Sequence, residues 1–196
     1  MQPSDPFLRS TEIIDWQHPS VLAKSRKLSV GAMDQIEIAR RCFEWVRDEI
    51  QHSSDFHRNP VTCIASEVLK EGTGYCYAKS HLLAALLRAN GIPAAFCYQR
   101  LSIHDNGAPY SLHGLNAVHL PQQGWYRIDA RGNKPGVNAQ FNPPAEQLAF
   151  RVNFTEERLF PEILPDPLPV VVNALRAHPT WDAMLANLPD WPEPNL

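Results

Sequence analysis

Gly72-Thr73-Gly74-Tyr75-Cys76 runs directly into Tyr77-Ala78-Lys79-Ser80-His81-Leu82-Leu83-Ala84-Ala85-Leu86-Leu87-Arg88-Ala89-Asn90-Gly91, and this stretch decides how the chain is read. Ala78, Leu82, Ala85, Leu86 and Ala89 recur at helical spacing on one face, with Lys79 and Arg88 off that stripe. The pattern predicts a helix from Cys76 to Asn90. Asn90-Gly91 supplies a stop signal, and Pro93 prevents the helix from resuming. Cys76 therefore falls on the first turn, where unpaired N–H groups and the helix dipole stabilise a thiolate, the reactive form of cysteine. The plain alternative is a small buried apolar residue.

Strand signals follow. Residues Ala94 to Leu101, Leu112 to Leu120 and Trp125 to Ala130 are apolar and aromatic runs divided by Gly, Asn and Pro. Pro121-Gln122-Gln123-Gly124 is a short hairpin connection between the last two. With a loop from Leu120 to Gly124, Leu115 opposes Asp129, and His113 lies one same-face step away, within reach of long polar side chains. Cysteine attacks an acyl carbon, histidine pairs with the thiolate and protonates the leaving group, and a carboxylate orients the ring. Cys76, His113 and Asp129 are the candidates for those roles. His119 is a rival on the same strand face, with a plainer role as a strand-face histidine beside Trp125. Asp129 likewise has a plainer role as a turn-adjacent acceptor of backbone hydrogen bonds.

Four blocks together resemble the transglutaminase-like superfamily of cysteine enzymes. They are Gly74-Tyr75-Cys76, then residues Ala84 to Ala94, then His113-Gly114-Leu115-Asn116-Ala117-Val118, then Gly124-Trp125-Tyr126-Arg127-Ile128-Asp129. The similarity covers about residues 62 to 132, with the catalytic blocks in family order. It implies that Cys76 is the nucleophile, that His113 opens a strand as its partner and that Asp129 closes the next. It also implies an α+β, papain-like core with the nucleophile helix packed on an antiparallel β-sheet, to which the derived order of helix and strands conforms. The spacing favours His113 over His119. Leu115 and Ala117 stand where the family often has an aromatic and an acidic residue, and Ala130 replaces a common proline, features of a divergent prokaryotic branch.

Acyl transfer also needs donors for a tetrahedral oxyanion. The Cys76 N–H is one, and Gln51, His52 and Tyr75 are side-chain candidates for a second. The expected activity is a peptidase or amidase acting through a thioester on Cys76. Transfer to an amine, as in a transglutaminase, uses the same three residues. A non-catalytic binding module of the same fold is the reading from another class.

Composition narrows the field. The chain has 196 residues, 44% hydrophobic, which suits one folded domain, residues 1–196, and excludes global disorder. The motif-bearing core spans about residues 32–132, with a Pro-rich wrapping segment and C-terminal extension over 133–196. A net charge of −3 and a pI near 6.2, without basic runs, give no case for nucleic acid. The expected partner is a peptide, protein or small amide. Cys42, Cys63, Cys76 and Cys97 form no C-x-x-C pair, and no acidic calcium loop is present, so no metal and no cofactor is expected. Met1-Gln2-Pro3-Ser4-Asp5 lacks the pattern of a secretory leader, and no apolar run approaches membrane-spanning length. The expectation is a cytoplasmic protein with reduced thiols.

Elsewhere, Met33, Ile36, Ala39, Phe43, Val46 and Ile50 predict a helix from near Ala32, with Asp34 near its positive end. Fully burying such side chains contributes roughly 1.5–3 kcal/mol each. Residues 1–31, with Pro3, Pro6 and Pro19, read as a strand or extended arm, and Thr62 to Lys70 as a short helix capped by Thr62. Residues 133–169 read either as a cleft-shaping loop or as coil covering apolar surface with Phe141, Phe150, Phe154 and Phe160. A short helix from Val170 to Ala177 and a docked segment carrying Trp181 and Trp191 complete the chain.

Overall fold

The computed structural model describes residues 5–191. In chain order the elements are α1 (Pro19–Ser29), α2 (Gln35–Glu49), β1 (Gln51–His52), α3 (Ala65–Glu71), β2 (Thr73–Gly74), α4 (Cys76–Ala89), β3 (Ala94–Ser102), β4 (Tyr110–Leu120), β5 (Gly124–Ile128), β6 (Gln140–Asn142), β7 (Ala145–Gln147), β8 (Arg158–Leu159), α5 (Pro169–Ala177) and α6 (Trp181–Ala186). The architecture is the α+β arrangement expected. Helix α4 lies at the centre, buried from Cys76 to Arg88, between the other helices and an antiparallel sheet of order β5-β4-β3-β8.

Burial of α4 takes in its two basic residues. Lys79 and Arg88 lie off the apolar stripe yet are buried, because α1, α2 and α3 pack where a simpler helix would meet solvent. Arg88 donates to the carbonyls of Ala94, Arg9 and Pro165, which ties the N-terminal segment and the Pro-rich segment to the helix. Buried guanidinium donors need such partners, since an unpaired one carries a large desolvation cost.

The β4–β5 hairpin has the register inferred from sequence. His119 pairs with Trp125 and Asn116 with Ile128, so one further step sets Leu115 against Asp129. The face of β3 and β4 carrying Phe96, Leu112 and Val118 joins the main core with α4, while Ala95, Cys97, Leu115 and Ala117 meet Phe7, Trp125, Leu148 and Ile163 on the other face. Burial of both faces fixes that register, since a one-residue slip would exchange them.

Three local expectations are corrected. Residues 19–29 are a helix, and Pro3 of the expected extended arm lies outside the described residues. Pro19 occupies the first helical turn, where its missing N–H costs nothing, and Val21 and Ser25 are buried one turn apart. Helix α2 starts at Gln35, because the Asp34 side chain accepts from Glu37 N at 2.8 Å, and Met33 is 91% exposed. Thr62 is not a cap: its Oγ1 donates to the Thr73 carbonyl at 2.9 Å, and Glu67 accepts from the Ile64 N–H at 3.1 Å to close the start of α3. Helix α3 ends at Gly72, whose φ of 66° is the left-handed conformation glycine adopts without strain. That turn sends the chain through β2 into Cys76.

Candidate active site

Cys76 is delivered by a tight junction. β2 pairs in parallel with β1, setting His52 opposite Gly74, and Tyr75 in extended conformation precedes the first turn of α4. A Cβ on Gly74 would stand 3.0 Å from the Ala78 Cβ, so the junction suits glycine. Cys76 is 8% exposed and lines a cleft of about 1400 Å³ together with His52, Ser54, Tyr75 and His113.

His113 and Asp129 come together as the register requires. His113 Nε2 is 2.8 Å from Asp129 Oδ2 in a buried pair, which leaves Nδ1 as the ring nitrogen available to the thiol. Gly114, the next residue of β4, donates its N–H to Cys76 Sγ at 3.5 Å. Burial alone would pull the His113 imidazole down. The Asp129 carboxylate and the Cys76 sulfur outweigh it and raise the ring to about 10, favouring imidazolium. Burial pushes the Asp129 carboxyl up, but the His113 charge and hydrogen bond, with two backbone donors, hold it below the ordinary value.

Those donors come from different parts of the chain. Arg131 N reaches Asp129 Oδ1 at 3.2 Å, and Ala149 N reaches Oδ2 at 3.0 Å. Phe150 then sets its ring edgewise against His113, with centroids 4.9 Å apart, and Gln99 Nε2 donates to the Phe150 carbonyl at 3.2 Å. Residues 149–150 thus cover the His113–Asp129 pair, and residues 145–154 with Lys134 and Val137 form one wall of the cleft. Phe141, Phe150 and Phe160 also pack on the core, so the Pro-rich segment both shapes the cleft and covers apolar surface. The sequence placed Phe150 in a segment read as cleft-shaping loop or apolar cover, but nothing local pointed to its contact with His113, to Ala149, or to Asp55, which takes a two-pronged ion pair from Arg131 and a third contact from Lys134.

The other sequence candidates separate cleanly. His119 is exposed and sits edgewise on Trp125 at 5.4 Å, apart from the cleft-lining residues. Of the three oxyanion candidates, the Tyr75 hydroxyl donates to the Trp181 carbonyl and Gln51 does not line the cleft, whereas His52 Nε2 lies 3.2 Å from Cys76 N. Cys42, Cys63 and Cys97 are pushed by burial to about 12, 11 and 11, which makes them poor nucleophiles. Among the described residues no group of three or more His, Cys, Asp or Glu is placed to hold a metal ion, and no helix is long and apolar enough to cross a membrane.

Lys79 is buried on the same helix as Cys76. Its Nζ donates to the carbonyls of Arg47 and Ile50 at the end of α2, and burial, reinforced by Arg131, lowers it from 10.5 to about 7. Between pH 7 and 10.5 the unfolded chain therefore holds more protons at this site than the folded one. Stability gains from this group as pH rises, by up to about 1.4 kcal/mol per pH unit. In urea denaturation, the stability of wild type relative to Lys79→Met is expected to grow from pH 7 to 10.5, and a constant difference would contradict the assignment.

A cysteine at the start of a buried helix, with a histidine on β4 paired to an aspartate just past the end of β5, defines a fold of the cysteine-protease type. The chain belongs to the transglutaminase-like superfamily, which it matches over residues 23–130. Among solved structures, a candidate cysteine protease from Cytophaga hutchinsonii shares the fold with a TM-score of 0.52 and 19% identity, over 64% of this chain and 41% of that one. The periplasmic domain of TgpA from Pseudomonas aeruginosa aligns with a TM-score of 0.46 and 20% identity, over 63% of this chain and 45% of that one. This chain thus spans less than half the length of either structure. A comparison with curated proteins gives no match.

Proposed function

We propose that the protein is a cysteine-dependent acyl-transfer enzyme that hydrolyses an amide bond of a peptide, protein or small amide. The observation that carries this reading is the pairing of His113 Nε2 with Asp129 Oδ2 at 2.8 Å while the next backbone N–H, Gly114, contacts Cys76 Sγ. The Cys76 thiolate attacks the carbonyl carbon, and the C=O electron pair moves to oxygen. Its return expels the amine, which takes a proton from His113 Nδ1. The resulting thioester is opened by water, whose proton returns to His113. Asp129 holds the ring so that Nδ1 faces sulfur throughout. These steps need the chain's own residues and water.

Hydrolysis is favoured over amine transfer because Cys76 and His113 both line a broad cleft that water can enter. The test is incubation with p-nitrophenyl acetate and peptide mapping by mass spectrometry, with and without dansylcadaverine. The expected result is an acetyl group on Cys76 that decays in water and is absent from Cys76→Ala. Acetylation confined to surface lysines, unchanged in Cys76→Ala, would overturn the reading. Transfer of the acetyl group mainly to the added amine would assign the transglutaminase outcome instead.

A further inference from the structure

The backbone donor closest to the carbon that Cys76 would attack is not free. The Cys76 N–H donates to His52 Nε2 at 3.2 Å, so in this state Nε2 is an acceptor and the ring's proton belongs on Nδ1. There, Ser54 Oγ lies 3.1 Å away and takes it. The backbone that carries the imidazole is placed firmly. His52 pairs with Gly74 across β1 and β2, Ser53 N donates to the Gly74 carbonyl at 3.1 Å, and the Tyr75 ring stands edgewise at 5.4 Å. Burial favours the neutral ring, holding it well below the ordinary imidazole value, and Arg131, Lys79 and His113 add to this against Asp55. Asp55 Oδ2 is 3.9 Å from Nδ1, while the same carboxylate is held by Arg131 and Lys134.

An oxyanion hole formed by Cys76 N–H is therefore closed by His52 as it stands. The same ring also carries a group able to supply a second donor. We propose that His52 is the side-chain donor to the acyl oxygen, and that exchange of its tautomer opens the site. In the closed form Nδ1–H points to Ser54 and Nε2 occupies the Cys76 N–H. In the open form the ring draws back from Cys76 N, because two donors cannot face each other across 3.2 Å, and Nε2–H and the Cys76 N–H converge on one substrate oxygen. The exchange balances without a change of charge. The Nδ1 proton passes to Ser54 Oγ as the serine's own hydroxyl proton leaves to cleft water, and water supplies a proton to Nε2. The Ser54 hydroxyl then donates to Nδ1. His52, Ser54 and Cys76 all line the cleft, so water reaches each of them. A substrate carbonyl selects the open form because it gains two donors there, and a donor aimed at the developing oxyanion strengthens in the transition state.

This role rests on Cys76 being the nucleophile, and the experiment separates the two claims. Protein labelled with ¹⁵N in its histidine rings is titrated with N-acetyl-leucyl-leucyl-norleucinal carrying ¹³C at the aldehyde carbon. This apolar probe suits walls that include Leu101, Leu112, Leu148 and Phe150. Attack by Cys76 forms an S–C bond, and the aldehyde oxygen takes a proton to give a hemithioacetal whose oxygen occupies the oxyanion position. The expected result is a hemithioacetal ¹³C signal together with a switch of His52 from the Nδ1–H to the Nε2–H pattern of ring shifts. A hemithioacetal with His52 still protonated on Nδ1 overturns the tautomer role alone. Failure of the adduct to form overturns the nucleophile and this proposal with it.

Rates give an independent check. His52→Ala is expected to lose about 10²–10³-fold in acylation of Cys76 by p-nitrophenyl acetate. His52→Gln, whose amide N–H can donate, is expected to recover most of that loss. If His52→Ala is acylated as fast as wild type or faster, the ring is only a plug on the Cys76 N–H and the proposal fails.

Discussion

Asp129→Asn is expected to slow acylation of Cys76 by about 10³–10⁴-fold while leaving the fold in place. The substitution preserves shape, so the change is one of protons. Asp129 Oδ2 accepts from both His113 Nε2 and Ala149 N, and Oδ1 accepts from Arg131 N. An amide has one acceptor oxygen. If that oxygen takes the Oδ1 place and stays with Arg131 N, the NH₂ group stands at the Oδ2 place, faces His113 Nε2 and requires that nitrogen to accept. The ring proton then moves to Nδ1, on the sulfur side, and the neutral ring can no longer take a proton from the thiol there. The raised pKa of His113 falls with the loss of the carboxylate. Burst kinetics with p-nitrophenyl acetate, alongside thermal unfolding, separates the effects. A melting temperature near that of wild type with the acylation burst lost is the expected pair of results. An undiminished burst would show that Asp129 only accepts backbone hydrogen bonds.

The second large effect is expected from a residue with no titratable group. A Cβ on Gly114 would stand 2.9 Å from Tyr77 Cδ1 and 3.2 Å from Tyr77 Cα. Tyr77 is buried in the first turn of α4 and its hydroxyl donates to the Leu112 carbonyl, so neither its ring nor its backbone has room to withdraw. Gly114→Ala must therefore push β4 away from the start of α4, at a cost of about 1–3 kcal/mol in stability. The same movement stretches the Gly114 N–H contact to Cys76 Sγ and carries His113 away from sulfur. Misplacement by about 1 Å costs on the order of 10²-fold in rate. Urea denaturation and the acylation rate should both show the change. Unaltered kinetics in a variant of wild-type stability would mean that strand and helix do not meet as tightly as described.

The parts of this fold that sequence revealed are those governed by local period and short connections. Helix α4 announced itself by spacing and a stop signal, and a short hairpin loop between Leu120 and Gly124 implied the register that sets His113 near Asp129. What stayed hidden depends on contacts far along the chain. Ala149 reaches Asp129 from 20 residues away and Arg131 reaches Asp55 from 76, with no periodicity to mark either partner. Helix α1 carries Lys24, Arg26 and Lys27 beside a proline, so its short buried edge of Val21 and Ser25 gave little signal. The burial of Lys79 follows from how many elements surround α4, which the helix's own residues do not encode. His52 was one of three oxyanion candidates on sequence grounds, and its contact with the Cys76 N–H, which depends on the β1–β2 pairing, distinguishes it.

The most direct test of the account is the rate of iodoacetamide alkylation at each cysteine near neutral pH, followed by mass spectrometry, in wild type, His113→Ala and His119→Ala. Cys42, Cys63 and Cys97 are buried with raised pKa values and should react slowly in all three. The account predicts rapid, selective labelling of Cys76 that survives His119→Ala and is lost in His113→Ala. Equal, slow labelling of Cys76 in all three proteins, or loss only in His119→Ala, would contradict it.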